Sequence, residues 1–138
     1  MKRSFSVINF YPSIISIIMG TIFCFVSCTN KDQVPRVDFY LDLSQAQYSQ
    51  LLNIGGCVIV SNVIVANKDG ANYLAMNGLC PMHGCNLAYA VSQHVFTCSC
   101  NLCQFSETGA VTMGPNTTAL KTYLTLKTGN MLHVYEQQ

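Results

Sequence analysis

The sequence predicts a small all-β domain, an antiparallel sandwich or barrel, preceded by a targeting segment. Three observations carry this. Short apolar runs recur along residues 37–136, many of them alternating with polar residues in the period of a half-buried strand. Turn signals such as Asp69-Gly70, Thr108-Gly109 and Thr128-Gly129-Asn130 separate them. After residue 53 no stretch has the length and period of a long helix.

Val37 to Leu43 opens the series. Val37, Phe39, Leu41 and Leu43 face one way and Asp38, Tyr40 and Asp42 the other, so the segment reads as a half-buried strand. Ser44 to Asn53, with Tyr48, Leu51 and Leu52, reads as a short helix or turn. Gly55-Gly56 breaks the chain before the strand-like Cys57–Asn62. Val63–Ala66 and Ala71–Met76 flank Asn67-Lys-Asp-Gly70 as a hairpin. Val95-Phe96-Thr97 leads into a cysteine-rich loop, and Phe105 to Thr112 reads as a further hairpin. Ala119–Leu126 and Met131–Tyr135 form the last pair.

Residues 1–27 are read as an export signal and set apart from the fold. Lys2 and Arg3 give the positive start, Val7 to Phe25 is mostly apolar, and Ser27 precedes Cys28. A retained transmembrane helix is the competing reading, which Asn9, Pro12 and several serines weaken. The segment Phe25-Val26-Ser27-Cys28 resembles a bacterial lipobox, although Phe25 stands where that pattern favours Leu. The resemblance implies a lipid on Cys28, and several acyl chains hold a protein on a bilayer stably where one does not. Thr29, in place of an Asp that retains some lipoproteins at the inner membrane, points to an outer-membrane, periplasmic or cell-surface location. Residues 28–36 are then a tether and 37–138 the folded domain.

The formal net charge is +1, and removing Lys2 and Arg3 with residues 1–27 leaves −1. No basic face of the kind that binds nucleic acid is present. Nor does the chain hold a Ser-His-Asp spacing, a paired-carboxylate motif or a Gly-rich phosphate loop, which argues against hydrolase and nucleotide-binding classes. A core this small often needs a staple or a metal. Of the eight cysteines, Cys24 leaves with the signal and Cys28 takes the lipid, so Cys57, Cys80, Cys85, Cys98, Cys100 and Cys103 remain. In an exported protein such a set means disulfides, metal ligation or both.

Five of these fall in Cys80-Pro-Met-His-Gly-Cys85 and Cys98-Ser-Cys-Asn-Leu-Cys103. With the segment that follows, the loops resemble the Rieske family. Gly84-Cys85, Cys98, Cys100, Phe105, Thr108-Gly109 and Gly114-Pro115 fall where the family has its motif residues, and the likeness extends through Leu120 and Tyr123. The resemblance implies a [2Fe–2S] cluster at the tip of an all-β domain, a one-electron carrier and a redox partner protein; with the lipid on Cys28 the carrier is membrane-anchored. It also implies that Cys85 and Cys100 form the loop-to-loop disulfide. In this family two Cys hold one iron and two His the other. Cys80 and Cys98 occupy the cysteine positions, but Met82 and Asn101 occupy those of the histidines.

Three readings stay open. A cluster survives in a shifted register on Cys80, His83, Cys98 and Cys103. Alternatively no metal binds, Cys80 pairs with Cys98 as Cys85 pairs with Cys100, and the domain is a disulfide-stapled binding or scaffold module. In the third, zinc takes a similar four-ligand set. Three other residues are assigned structural places. His94 reads as a turn or surface residue, His133 as facing solvent on the last strand, and Cys57 as a buried thiol.

Overall fold

The computed structural model describes residues 36–100, 102–115 and 118–137; the export signal, Cys28 and most of the tether lie outside them. Ten strands follow in order: β1 (Asp38–Asp42), β2 (Cys57–Val60), β3 (Val63–Asn67), β4 (Tyr73–Asn77), β5 (Leu87–Ala90), β6 (Val95–Cys98), β7 (Gln104–Ser106), β8 (Val111–Met113), β9 (Thr122–Thr128) and β10 (Met131–Tyr135). One short 3-10 helix, Ala46–Leu52, sits between β1 and β2. It occupies the segment whose sequence reads as a short helix or turn. No described helix is long and apolar enough to cross a membrane.

The strands form a six-stranded sheet, β1-β10-β9-β4-β3-β2, and a four-stranded sheet, β5-β6-β7-β8. Every described strand pair is antiparallel. Burial follows the pleat. Along β1, Leu41 is buried and Phe39 packs against the same cluster, while Tyr40 is 61% exposed on the other side. Strand β3 is buried at every position. Ile64 and Ala66 face the four-stranded sheet, and Val63 and Val65 face the cluster closed by Leu51 of the 3-10 helix. A strand covered on both faces reads as a continuous apolar run rather than an alternation, which is how residues 63–66 look.

Between the sheets, Phe96 and Phe105 are fully buried cross-strand partners with Leu87, Tyr89, Met76 and Leu120 around them. Each such ring contributes on the order of 1.5–3 kcal/mol by burial. The same cluster runs on into the cysteine loops and includes Cys80, Cys98 and Cys103. The loops are therefore the end of the core.

Some boundaries differ from the sequence reading. Strand β9 begins at Thr122, because Leu120 turns inward and its N–H donates to the Gly109 carbonyl at 2.8 Å. Gly109 has φ +81, and a Cβ there would come within 2.5 Å of the Leu120 oxygen, so the Thr108-Gly109 turn docks where a side chain has no room. The β2–β3 connection is a two-residue hairpin over Ser61 and Asn62, both at positive φ (50 and 63). Asn and Ser signal it more weakly than Asn-Gly does. Strand β5 was not anticipated, since alanines at 88 and 90 give its alternation with Leu87 and Tyr89 little polar contrast.

Candidate metal centre at the cysteine tip

Both cysteine loops close in the same way. The Cys80 N–H donates to the Cys85 carbonyl at 2.8 Å, and the Cys98 N–H to the Cys103 carbonyl at 3.0 Å. The first loop is capped by the Leu79–Asn86 bridge and by a turn in which the Gly84 N–H donates to the Cys80 carbonyl at 2.8 Å. Gly84 sits at φ +67, in the left-handed region that glycine enters without cost. Strand pairing sets the loops side by side, because Leu87, just after the first, is the cross-strand partner of Cys98, which opens the second.

A disulfide joins the loops. Cys85 and Cys100 are bonded, with their Cα atoms 6.2 Å apart, inside the range a disulfide requires. Cys80 and Cys98 do not form the second disulfide that the metal-free reading expects; both stay thiols, as do Cys57 and Cys103. The sulfur that Cys98 abuts is that of Cys100, 3.6 Å away and already bonded to Cys85. Cys80 is 1% exposed and Cys98 7%, each held by strand-end hydrogen bonds in the core, whereas Cys100 stands exposed and reaches across to Cys85.

Cys103 is 1% exposed. Its seat depends on Gly114 (φ +99), where a Cβ would lie 2.8 Å from both the Cys103 Cα and its sulfur. The Gly-Pro after the loops thus leaves space for a thiol. His83 is exposed in the first loop, and Met82 beside it is 42% exposed. Asn101 lies outside the described residues.

The shifted set is therefore distributed as three buried thiols, Cys80, Cys98 and Cys103, in one core cluster, with the His83 imidazole on the exposed loop. Among the described residues, the ligand-type atoms mutually within 4.8 Å are instead the sulfurs of Cys85, Cys98 and Cys100. Two of these are spent in the disulfide, so this trio is no metal site as it stands. Cys57, read as a buried thiol, is half-buried at the edge of the core between the sheets.

A second polar cluster lies at the other end of the four-stranded sheet, where Ala90 pairs with Val95 and Val95 with Ser106. Glu107 receives the Tyr89 hydroxyl at 2.7 Å, approaches His94 Nδ1 at 3.1 Å and pairs with Lys68 at 2.6 Å. Burial pushes the Glu107 carboxyl up, but hydrogen bonds from Lys68, Tyr89 and His94 outweigh it and leave the group below the usual carboxylate value. Burial, followed by the Glu107 hydrogen bond, pushes the Tyr89 phenol well above its ordinary range. His94 is the surface turn residue the sequence indicates, at φ +55, and has a partner that sequence does not disclose. His133 lies on the outer face of β10, as the sequence indicates, with Leu132 and Val134 buried on the other; there it is stacked between Tyr40 and Tyr135, with its Nε2 2.7 Å from Asp38.

The chain is similar to known proteins. The chain is 28% identical over 94 residues to the cytochrome b6-f complex iron-sulfur subunit of Desmonostoc sp. (strain PCC 7906). It is 31% identical over 94 residues to the subunit of the same name from Nostoc punctiforme. Each match covers 63% of this chain, which spans about half the length of these curated relatives. Among solved structures, the ferredoxin of carbazole 1,9a-dioxygenase from Nocardioides aromaticivorans IC177 shares the fold. Its TM-score is 0.56 at 20% identity, over 62% of this chain and 89% of that one. The cyanobacterial plasma membrane Rieske protein PetC3 from Synechocystis PCC 6803 matches with a TM-score of 0.48 at 30% identity, over 56% of this chain and 82% of that one. The Rieske [2Fe-2S] domain model matches residues 40–124, more than half of the sequence, and the chain belongs to that family.

Proposed function

We propose that this domain is an electron-transfer module with a [2Fe–2S] cluster at its cysteine tip, held by Cys80, His83, Cys98 and Cys103. The observation that carries the reading is the burial of three thiols, Cys80, Cys98 and Cys103, in the core cluster that ends at the tip. The residues present do not fit the family's arrangement of two imidazoles, since Met82 and Asn101 occupy those positions. As donors, three thiols and one imidazole do fit an iron–sulfur cluster, because soft sulfur ligands and imidazole both suit it. When bound, the cluster supplies one-electron chemistry.

The chain's own contribution is positioning. Cys85–Cys100 ties the loops, the paired loop closures orient Cys80 and Cys98, and Gly114 leaves room for Cys103. Both curated relatives are named as iron-sulfur subunits of the cytochrome b6-f complex, which supports a redox partner protein for this domain as well. The reading includes export by residues 1–27 and a lipid on Cys28 that holds the domain to a membrane, at the outer membrane by the Thr29 argument. Replacing Cys28 with Ala should abolish lipid labelling; unchanged labelling rules the anchor out.

The ligand set is tested by visible absorption and electron paramagnetic resonance of anaerobically prepared protein. Cys103→Ser and His83→Ala should each lose or strongly alter the reduced-cluster signal, and Met82→Ala should retain it. A signal untouched by Cys103→Ser removes the shifted set. The second reading, a metal-free stapled module, is favoured by one observation: Met82 lies exposed where the family has an imidazole. The Cys85–Cys100 staple needs neither missing histidine.

A further inference from the structure

The sulfur beside the loop-to-loop disulfide belongs to a third cysteine. Cys98 Sγ lies 3.6 Å from Cys100 Sγ, and the sulfurs of Cys85, Cys98 and Cys100 all lie within 4.8 Å of one another. One disulfide is thus shared among three close sulfurs, and Cys98 is the thiol of the three. The segment that carries the nearer disulfide sulfur is lightly held. Ser99 and Cys100 are exposed, and the Ser99 N–H reaches the Asn86 carbonyl only at 3.4 Å.

We propose that in the iron-free protein Cys85, Cys98 and Cys100 form an internal thiol–disulfide exchange site, in which Cys98 attacks Cys100 and releases Cys85. The step balances within the chain. The Cys98 thiol gives its proton to water. The resulting thiolate forms the Cys98–Cys100 bond as the Cys85–Cys100 bond breaks, and Cys85 leaves as a thiolate that takes up a proton. One disulfide is present before and after, so no oxidant or reductant is needed. Attack runs along the axis of the breaking bond. A rotation at Cys98 or a swing of Ser99-Cys100 therefore comes first, and the exposed backbone there permits it.

The consequence is structural. A disulfide closing 15 residues between two loops becomes one spanning Cys98-Ser-Cys100 within a single loop, and the tip is untied. Cys85 then emerges as a half-exposed thiol. Iron on Cys98 would occupy the attacking sulfur, so the exchange belongs to the iron-free state and does not depend on whether a cluster forms in the native protein.

The test is disulfide mapping of the full-length protein, made iron-free with a chelator, incubated under argon at mildly alkaline pH and quenched by acid alkylation. Uncatalysed rearrangement of this kind takes minutes to hours. The expected result is growth of a species with Cys98 bonded to Cys100 and Cys85 alkylated, and its complete loss in Cys98→Ala and in Cys98→Ser. The serine variant keeps the volume of the buried site should alanine disturb folding. Persistence of Cys85–Cys100 alone in the parent protein overturns the proposal, as does rearrangement that continues in both Cys98 variants. The mapping uses iron-free protein throughout, so failure to find a cluster leaves this result standing and the reverse also holds.

Discussion

Lys68, on the turn after β3, places its ammonium 2.6 Å from the Glu107 carboxylate on the turn after β7, and so ties the two sheets together at the end of the four-stranded sheet opposite the cysteine loops. Tyr89 and His94 complete the ring of donors around Glu107. Because the folded Glu107 carboxyl is held below its usual value, an unfolded chain takes up the proton first as pH falls. The stabilisation is full above the unfolded pKa of about 4.3 and is lost as pH drops through the lower folded value. Melting between about pH 6 and pH 3 should therefore show a steeper acid loss in the parent protein than in Glu107→Gln. At neutral pH the variant should melt lower, with a cost of about 1 kcal/mol, or roughly 4–8 °C for a domain of this size.

Among the described residues, Asn67 is the buried polar side chain in the core, 1% exposed. Its Nδ2 donates to the Leu51 carbonyl at 2.8 Å and its Oδ1 accepts the Gly70 N–H at 2.7 Å, joining the 3-10 helix to the β3–β4 turn. Asn67→Ala should cost about 1–3 kcal/mol, from two lost hydrogen bonds and a small cavity; the Leu51 carbonyl keeps the Tyr73 hydroxyl at 3.2 Å, and the Gly70 N–H lies on an exposed turn open to water. Chemical denaturation would show this as a lower midpoint at unchanged slope.

Gly114→Ala tests the seat of Cys103. The new methyl would press on the Cys103 Cα and sulfur from 2.8 Å, at a φ that alanine resists. The expected cost is about 1–3 kcal/mol. Cys103 should also become reactive toward a maleimide in the folded protein, where in the parent it is protected.

Removing the staple has a separable effect. Cys85→Ala with Cys100→Ala opens a loop of 15 residues, for which the chain-entropy estimate is about 3 kcal/mol. Thermal melting should report this in full in iron-free protein.

The sequence carried the fold well where its patterns are local. The alternation in Val37–Leu43, the Asp69-Gly70 hairpin and the Thr108-Gly109 turn all sit where their residues indicate. It failed at β5, where alanine blurs the pattern, and at Ser61-Asn62, where the turn uses a weak pair. The Cys85–Cys100 link was legible only through the resemblance to the Rieske family, which implied the pair across 15 residues of sequence. The Glu107 cluster was not, since its partners Lys68, Tyr89 and His94 lie 39, 18 and 13 residues away and meet only once the sheets are stacked. No spacing rule reaches that far. Nor did spacing show that Cys80 and Cys98 would remain thiols beside a bonded Cys85–Cys100, since which sulfurs meet depends on how the two loops lie against each other.

The central claim is that a chain with Met82 and Asn101 at the family's histidine positions still holds a [2Fe–2S] cluster. Iron and acid-labile sulfide analysis of protein purified anaerobically tests this most directly. The account expects two irons and two sulfides per chain, both lost in Cys98→Ser. Iron and sulfide at background level, in protein whose Cys85–Cys100 bond is intact and whose melting is cooperative, would contradict it and leave the stapled module as the function of the fold.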